Sequence, residues 1–454
     1  MPARSSIPTI QPGAGGHHFV IYSDSCSGLP GEPQEENFRQ INDVIAALDR
    51  APQFICFPGD EIMGLTEDGD ALRRQWAYFF ERELAWLNRA AVPVYHSSGN
   101  HTVYDRMSES VFREAMAHLP QNGPPDQGGL SYFVRRGDLL MIFVNTLWSG
   151  TGGEGTVETE WLEATLAQHA EAGQKLVFGH HPVWTVNGYA GDNQRNLERG
   201  NGRRFWDALA RHGALAYVCS HILAFDVQVH GGVLQICSAG AGTAHRMPPE
   251  EEYLHIVQAA LDDDGLRYQV LDRAGEVREW LAWPWSLPAS DGWRPFTSDA
   301  ARSLPADCLG RLDQVQLVVW QISGELPARP DGAPQMILRA DAQDDALPWF
   351  WLGASGVDNR LTALLSPRAN RSPHRWTGPA LPQGERFSIQ FALHSGMGPG
   401  GLLWRWRDED TWSSLIGASS WGAERIPWSR SWRVGENLRS RWHCLSFELG
   451  ELLT

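Results

Sequence analysis

The residues of this chain that could do chemistry recur at one kind of place. Gln53-Phe54-Ile55-Cys56-Phe57-Pro58-Gly59-Asp60-Glu61 carries an apolar, strand-forming run into Pro-Gly and then a carboxylate. Phe19-Val20-Ile21-Tyr22 runs into Ser23-Asp24-Ser25-Cys26, and Val92-Pro93-Val94-Tyr95 into Gly99-Asn100-His101. Lys175-Leu176-Val177-Phe178 runs into Gly179-His180-His181, and Ala214-Leu215-Ala216-Tyr217-Val218 into Ser220-His221. One polar residue after a strand is ordinarily a turn or a cap. Here every run delivers a carboxylate, an amide oxygen or an imidazole. Neutral carbonyl oxygen and neutral imidazole nitrogen suit zinc, manganese or iron better than calcium or magnesium.

The elements that must position these groups are short. Apolar runs closed by glycine read as buried strands of an α/β sheet, and such sheets collect ligands at the carboxyl ends of their strands. Between them, residues 36–50 and Asp70 to Ala90 carry apolar side chains at helical spacing, and Glu160 to Leu166 starts another helix. Leu130–Val134 and Leu139–Val144 read as strands turning at Gly137-Asp138. Hairpins are expected at Val227–Ala239, turning at Gly231-Gly232, and at Leu254–Asp272, turning at Asp262–Gly265. Alternating βα units followed by hairpins predict two packed sheets with helices outside.

In chain order these motifs resemble the calcineurin-like metallophosphoesterases, whose pattern is D-x-H, G-D, G-N-H, G-H and G-H-x-H. The matching residues are Asp24-Ser25-Cys26, Gly59-Asp60, Gly99-Asn100-His101, Gly179-His180 and Ser220-His221-Ile222-Leu223. Trp161-Leu162 with Leu166 resembles the family's W-L-x-x-x-L element. The resemblance covers about residues 17–275 and implies a two-sheet αββα sandwich. It also implies metal-dependent hydrolysis of a phosphate mono- or diester, with hydroxide on the metal attacking phosphorus in line. Asp60 then bridges two cations, Asn100, His180 and His221 complete the second position, and Asp24 with Asp60 serves the first. His101 is implied to contact phosphate and to help protonate the leaving group, while His181 is expected either to support the ligands from behind or to be structural. Two departures stand out: Cys26 and Leu223 occupy places where the family has histidine. A thiolate is a good zinc or iron ligand, and a buried thiol filling lost volume is the alternative for Cys26. Asp226, His245, His230 and His96 are candidate replacements for the missing ligand.

At 454 residues, two domains are expected. A disordered tail over 1–16 precedes a catalytic domain over 17–280, a linker over 281–295 and an all-β, jelly-roll-like sandwich over 296–454. Fifteen of the 21 tryptophans lie from Trp280 onward, where helical periodicity gives way to alternation separated by Gly/Pro/Asn/Asp clusters. Sheet packing is the simplest role for them, and a sugar-stacking platform is the alternative. A net charge of −16 argues against nucleic acid as a partner. No apolar run has membrane-spanning length and no secretory signal is read, so no membrane association is expected. The six cysteines form no compact framework, which fits the cytoplasm. Two rival functions remain open at this level: a one-metal or thiolate-ligated site doing iron redox chemistry, and a non-catalytic binding protein. The long glycine-rich stretches Gly152–Glu158 and Asn187–Gly202 are candidate rims for a substrate.

Overall fold

The computed structural model describes residues 6–147, 155–186, 196–243 and 253–283. Beyond these it describes 294–297, 317–325, 332–341, 348–365, 374–394, 401–408, 411–412, 417–420, 432–434 and 446–452. The chain divides into two compact units, one formed by Met1–Val227 and Val233–Pro284, the other by Gln228–Gly232 and Trp285–Thr454.

In chain order the first unit contains β1 (His17–Ile21), α1 (Pro33–Ala46), β2 (Phe54–Phe57), α2 (Gly69–Tyr78), β3 (Val94–His96) and α3 (Arg106–Ala115). There follow β4 (Tyr132–Arg136), β5 (Leu139–Phe143), α4 (Thr159–Gln168), β6 (Gln174–Phe178), α5 (Arg199–Arg211), β7 (Ala216–Cys219) and the first half of β8 (Phe225–His230), whose residues from Gln228 on fall in the other unit. The last are β9 (Val233–Ser238), β10 (His255–Asp262), β11 (Gly265–Asp272) and β12 (Val277–Trp283). One sheet has the order β12-β11-β10-β1-β2-β3. In it β1, β2 and β3 run parallel, and β10 to β12 add antiparallel beside β1. In the other sheet β5, β6, β7 and β9 are parallel neighbours and β4 flanks β5 antiparallel. Strands buried on both faces explain the continuous apolar runs, since every residue of β2, β5 and β6 is buried.

Several expected boundaries move. The tail expected to be disordered over 1–16 is bonded from Ile7 onward: Ile7 N–H donates to Ala47 O at 2.9 Å and Gly13 N–H to Asp262 Oδ2 at 2.5 Å. The helix expected over 70–90 ends at Tyr78 and passes into a π turn, Phe79–Glu83. That wider turn coincides with an aromatic cluster, in which Phe79 stacks on Phe38 at 5.6 Å and Phe80 meets the edge of His96 at 6.0 Å. The linker expected from residue 281 starts later, because Leu281 and Trp283 pair with Tyr268 and Leu266 in β12. Their inward faces alternate with Trp280 and Ala282, so the tryptophans that marked a composition break here belong to an edge strand. At its other end, Arg294 and Pro295 already lie in a strand. Helices α3 and α5 were not anticipated. Among the described residues, no helix is long and apolar enough to cross a membrane.

The second unit is all-β among its described residues. One antiparallel sheet orders Arg294–Thr297, Ser446–Leu452, Leu317–Glu325, Arg386–His394, Gly401–Asp408 and Gly417–Ser420. The other orders His374–Ala380, Arg360–Leu365, Pro348–Ala354, Gln335–Asp341 and Trp432–Val434. Most tryptophan side chains of this unit lie outside the described residues, and with them the choice between packing and sugar stacking.

Candidate metal centre

The site begins in backbone. β1 and β2 are parallel neighbours, and the loops after them keep pairing. Asp24 N–H donates to Gly59 O at 3.2 Å, Cys26 to Asp60 O at 2.9 Å, Ser27 to Glu61 O at 3.0 Å and Met63 to Ser27 O at 2.8 Å. Three residues of this ladder adopt left-handed conformations: Asp24 at φ +57°, Cys26 at +41° and Asp60 at +57°. His221, delivered by the other sheet, does the same at +72°. Such backbone costs of order 1–3 kcal/mol per non-glycine residue and persists where surrounding bonds over-determine it. The glycine before Asp60 is required by space as well as by its φ of +104°, since a Cβ there would lie 2.6 Å from His180 Nδ1. At Gly99 a Cβ would clash with Asp60 Oδ1.

On this frame four side chains converge. His180 Nε2 lies 3.2 Å from Asp60 Oδ2 and 3.0 Å from Asn100 Oδ1, and His221 Nδ1 lies 2.8 Å from the same Asn100 oxygen. His101 backbone N–H donates to Asp60 Oδ1 at 2.8 Å and fixes the carboxylate. The Nδ1 side of the His180 ring faces Pro58 O at 3.0 Å and Ser220 Oγ at 2.8 Å, and the Ser220 hydroxyl also donates to Pro58 O. A proton held on Nδ1 by the Pro58 carbonyl leaves the Nε2 lone pair for the cluster. Donor atoms of these types, two of them imidazole nitrogens, are those that hold a transition-metal cation. Asp24, Asp60 and His180 are buried, whereas Asn100, His101 and His221 are partly exposed and form the mouth.

Without a cation the cluster organises its own charges. Burial depresses the His180 pKa, yet the Asp60 charge and hydrogen bond outweigh it and raise it to about 9. Burial likewise pushes Asp60 up, but His180 and His101 pull it well below the usual carboxylate range. Asp24 is raised to about 6, chiefly by burial, with the Asp60 charge adding to it. Burial, then the two carboxylates, pushes the Cys26 thiol well up. Behind the site, Glu61 Oε1 and His96 Nδ1 form a fully buried pair at 2.9 Å. Burial raises the acid and lowers the base, so both shifts favour the uncharged forms.

Donor atoms converge in three described groups: Asp24, Asp60 and His180; Cys26, Asp60 and His101; and His180, His181 and His221. His181, expected to support the ligands or to be structural, lies beside the cluster, with its Nδ1 3.0 Å from Thr146 Oγ1. Leu223 is 8% exposed and offers no donor. Of the candidate replacements, Asp226 is buried in β8 but absent from the described groups. His96 is engaged by Glu61, and His230 Nε2 lies 2.9 Å from Gln228 Oε1. His245 lies outside the described residues, as do residues 152–154 and 187–195 of the expected rims. The end of the second rim is not a loop, because α5 starts at Arg199 under a cap in which the Glu198 side chain accepts from Gly200 and Asn201 N–H. The sequence reading missed Thr243, whose hydroxyl donates to Asp24 O, and Ser220 as the partner of His180. Ser220 is adjacent to His221 in sequence and could have been found there. Thr243 carries no such signal.

Residues 17–225 match the family model described as calcineurin-like phosphoesterase. That match lies within the first compact unit and spans Asp24, Asp60, Asn100, His180 and His221. Among solved structures, a purple acid phosphatase from yellow lupin (Lupinus luteus) seeds is 14% identical, over 60% of this chain and 54% of its own, with a TM-score of 0.46. The chain thus spans about half the length of that phosphatase. A dimetal phosphatase from Danio rerio is 17% identical over 57% of this chain and 96% of its own, with a TM-score of 0.43. GAP50, the anchor in the inner membrane complex of Plasmodium, is 14% identical over 59% and 88%, with a TM-score of 0.40. No curated protein matches the sequence.

Proposed function

We propose that the N-terminal unit hydrolyses small-molecule phosphate esters with one or two iron, zinc or manganese ions. The observation that carries this reading is the convergence of Asp60, Asn100, His180 and His221 at the carboxyl ends of strands from two sheets. These four residues would hold the tighter cation, and Asp60 would also face the other. Bound there, cations supply Lewis acidity toward a phosphoryl oxygen and lower the pKa of water. The chain's own residues do the positioning. His101 N–H fixes the direction of Asp60, the missing Cβ of Gly99 leaves that carboxylate its room, and Ser220 and Pro58 hold the His180 ring. Burial of Asp24 and Asp60 keeps bulk water from the inner side, so an ester approaches past Asn100 and His221.

The test is reconstitution of metal-free protein with each ion, followed by assay on p-nitrophenyl phosphate and bis(p-nitrophenyl) phosphate. Metal-dependent release of nitrophenolate from either ester is expected, and the preferred ester separates mono- from diesterase. No release from either ester with any of the three ions, in protein that binds them, would overturn the proposal.

A further inference from the structure

Asp24, Asp60 and an apolar Leu223 make a poor cage for a second cation. We infer that this cation is held instead by Cys26, Asp60 and His101, a thiolate–carboxylate–imidazole site for a borderline-soft ion such as zinc or iron(II). The inference deepens the phosphoesterase reading and rests on it only in sharing Asp60 with the His180/His221 position.

The donor atoms of these three residues lie within 4.8 Å of one another. One ladder positions all of them. Cys26 N–H donates to Asp60 O, and two rungs later Met63 N–H donates to Ser27 O. The carbonyl of that same Met63 lies 2.8 Å from His101 Nδ1. A carbonyl only accepts, so Nδ1 carries the proton and Nε2 holds the lone pair. Histidines that bind metals are commonly oriented in this way, by a carbonyl or carboxylate on the other ring nitrogen. His101 is tied again through its backbone, which donates to Asp60 Oδ1 at 2.8 Å.

Packing alone does not account for the thiol. Cys56, Cys219 and Cys237 are buried cysteines placed in regular strands. Cys26 is equally buried but sits in a loop at φ +41° with its neighbour Asp24 also left-handed. The Cys26 N–H bond to Asp60 O holds that backbone and keeps the thiol beside the carboxylate group of the site. Thiolate and imidazole together select zinc, iron(II) or cobalt(II) over magnesium and calcium. His101 is partly exposed, which gives the ion an entry path. In this arrangement His101 Nε2 binds the cation and does not supply the leaving-group proton that the family resemblance implies.

Cobalt(II) titration of the metal-free full-length chain tests this. The second equivalent should bring in a near-ultraviolet thiolate-to-cobalt band, and X-ray absorption at that loading should show a sulfur scatterer. Cys26→Ser should abolish the band. His101→Gln should weaken the second equivalent by more than the ~10–100-fold typical of losing an outer-shell partner. Both variants should keep the first equivalent, which also reports that they are folded. A wild-type spectrum without sulfur at any loading overturns the inference regardless of the variants. A thiolate band indifferent to His101→Gln overturns it too, because Cys26 would then be working with Asp24. Ester hydrolysis is a separate readout: sulfur ligation without hydrolysis refutes the phosphoesterase reading, and hydrolysis without sulfur ligation refutes this one.

Discussion

His180 carries most of the charge balance in the metal-free site. Its folded pKa of about 9 lies above its ordinary 6.5, so the stabilisation is complete below pH ~6.5 and disappears as pH rises through 9. A rise of this size corresponds to about 3 kcal/mol. Asp24 acts in a lower window: raised to about 6 from 3.8, it costs stability as pH climbs from about 4 to 6. Metal-free protein is therefore expected to lose thermal stability between pH 6.5 and 9, as followed by the unfolding midpoint. A Tm that is flat or rising over that range would contradict the buried pair. Cation binding must also expel the His180 proton, so affinity should rise with pH up to about 9, with protons released on titration in weakly buffered solution. His180→Ala should remove the first equivalent of metal and nearly all ester hydrolysis. In the metal-free state it leaves the Asp60 carboxylate buried without its partner, which costs about 3–5 kcal/mol by denaturant unfolding.

Elements, not side chains, decide where these groups point. Gly59→Ala places a Cβ 2.6 Å from His180 Nδ1 on a backbone at φ +104°. The expected result is a loss of about 1–3 kcal/mol in stability and a marked drop in affinity for the first equivalent, measured by calorimetry. Ser220→Ala removes only the hydroxyl that shares Pro58 O with His180, and affinity should fall about 10–100-fold with the fold intact. The strand tips bearing Asp24, Asp60, Asn100, His180 and His221 were legible because a buried strand ending in glycine leaves a local signature. Helix α3 was missed although its cap was written in Asp105 and Ser108, since its ten residues are largely polar. Helix α5 opens Arg-Gly-Asn-Gly, which reads as loop until Glu198 is seen capping it. The ladder between the loops after β1 and β2 leaves no trace in sequence. Its partners are far apart in the chain, and three of its left-handed residues, Asp24, Cys26 and Asp60, are not glycines.

For the molecule as a whole, the phosphoesterase match and the candidate centre fall in the first compact unit. A chain ending at Pro284 is expected to stay soluble and keep the metal stoichiometry of the full protein. Size-exclusion chromatography and metal analysis would check this, and an aggregated or metal-free fragment would place the boundary elsewhere. The position of β1 has a further consequence. It is bonded on one side to β2 and on the other to β10, which is made far later. Asp24, Cys26, Asp60 and His101 have therefore all been translated well before His180 and His221 leave the ribosome, while β1 still lacks one neighbour. Domains begin to fold as they emerge. In a newly made chain, the order of emergence would compete with equilibrium affinity in setting which of the two proposed cation positions loads first.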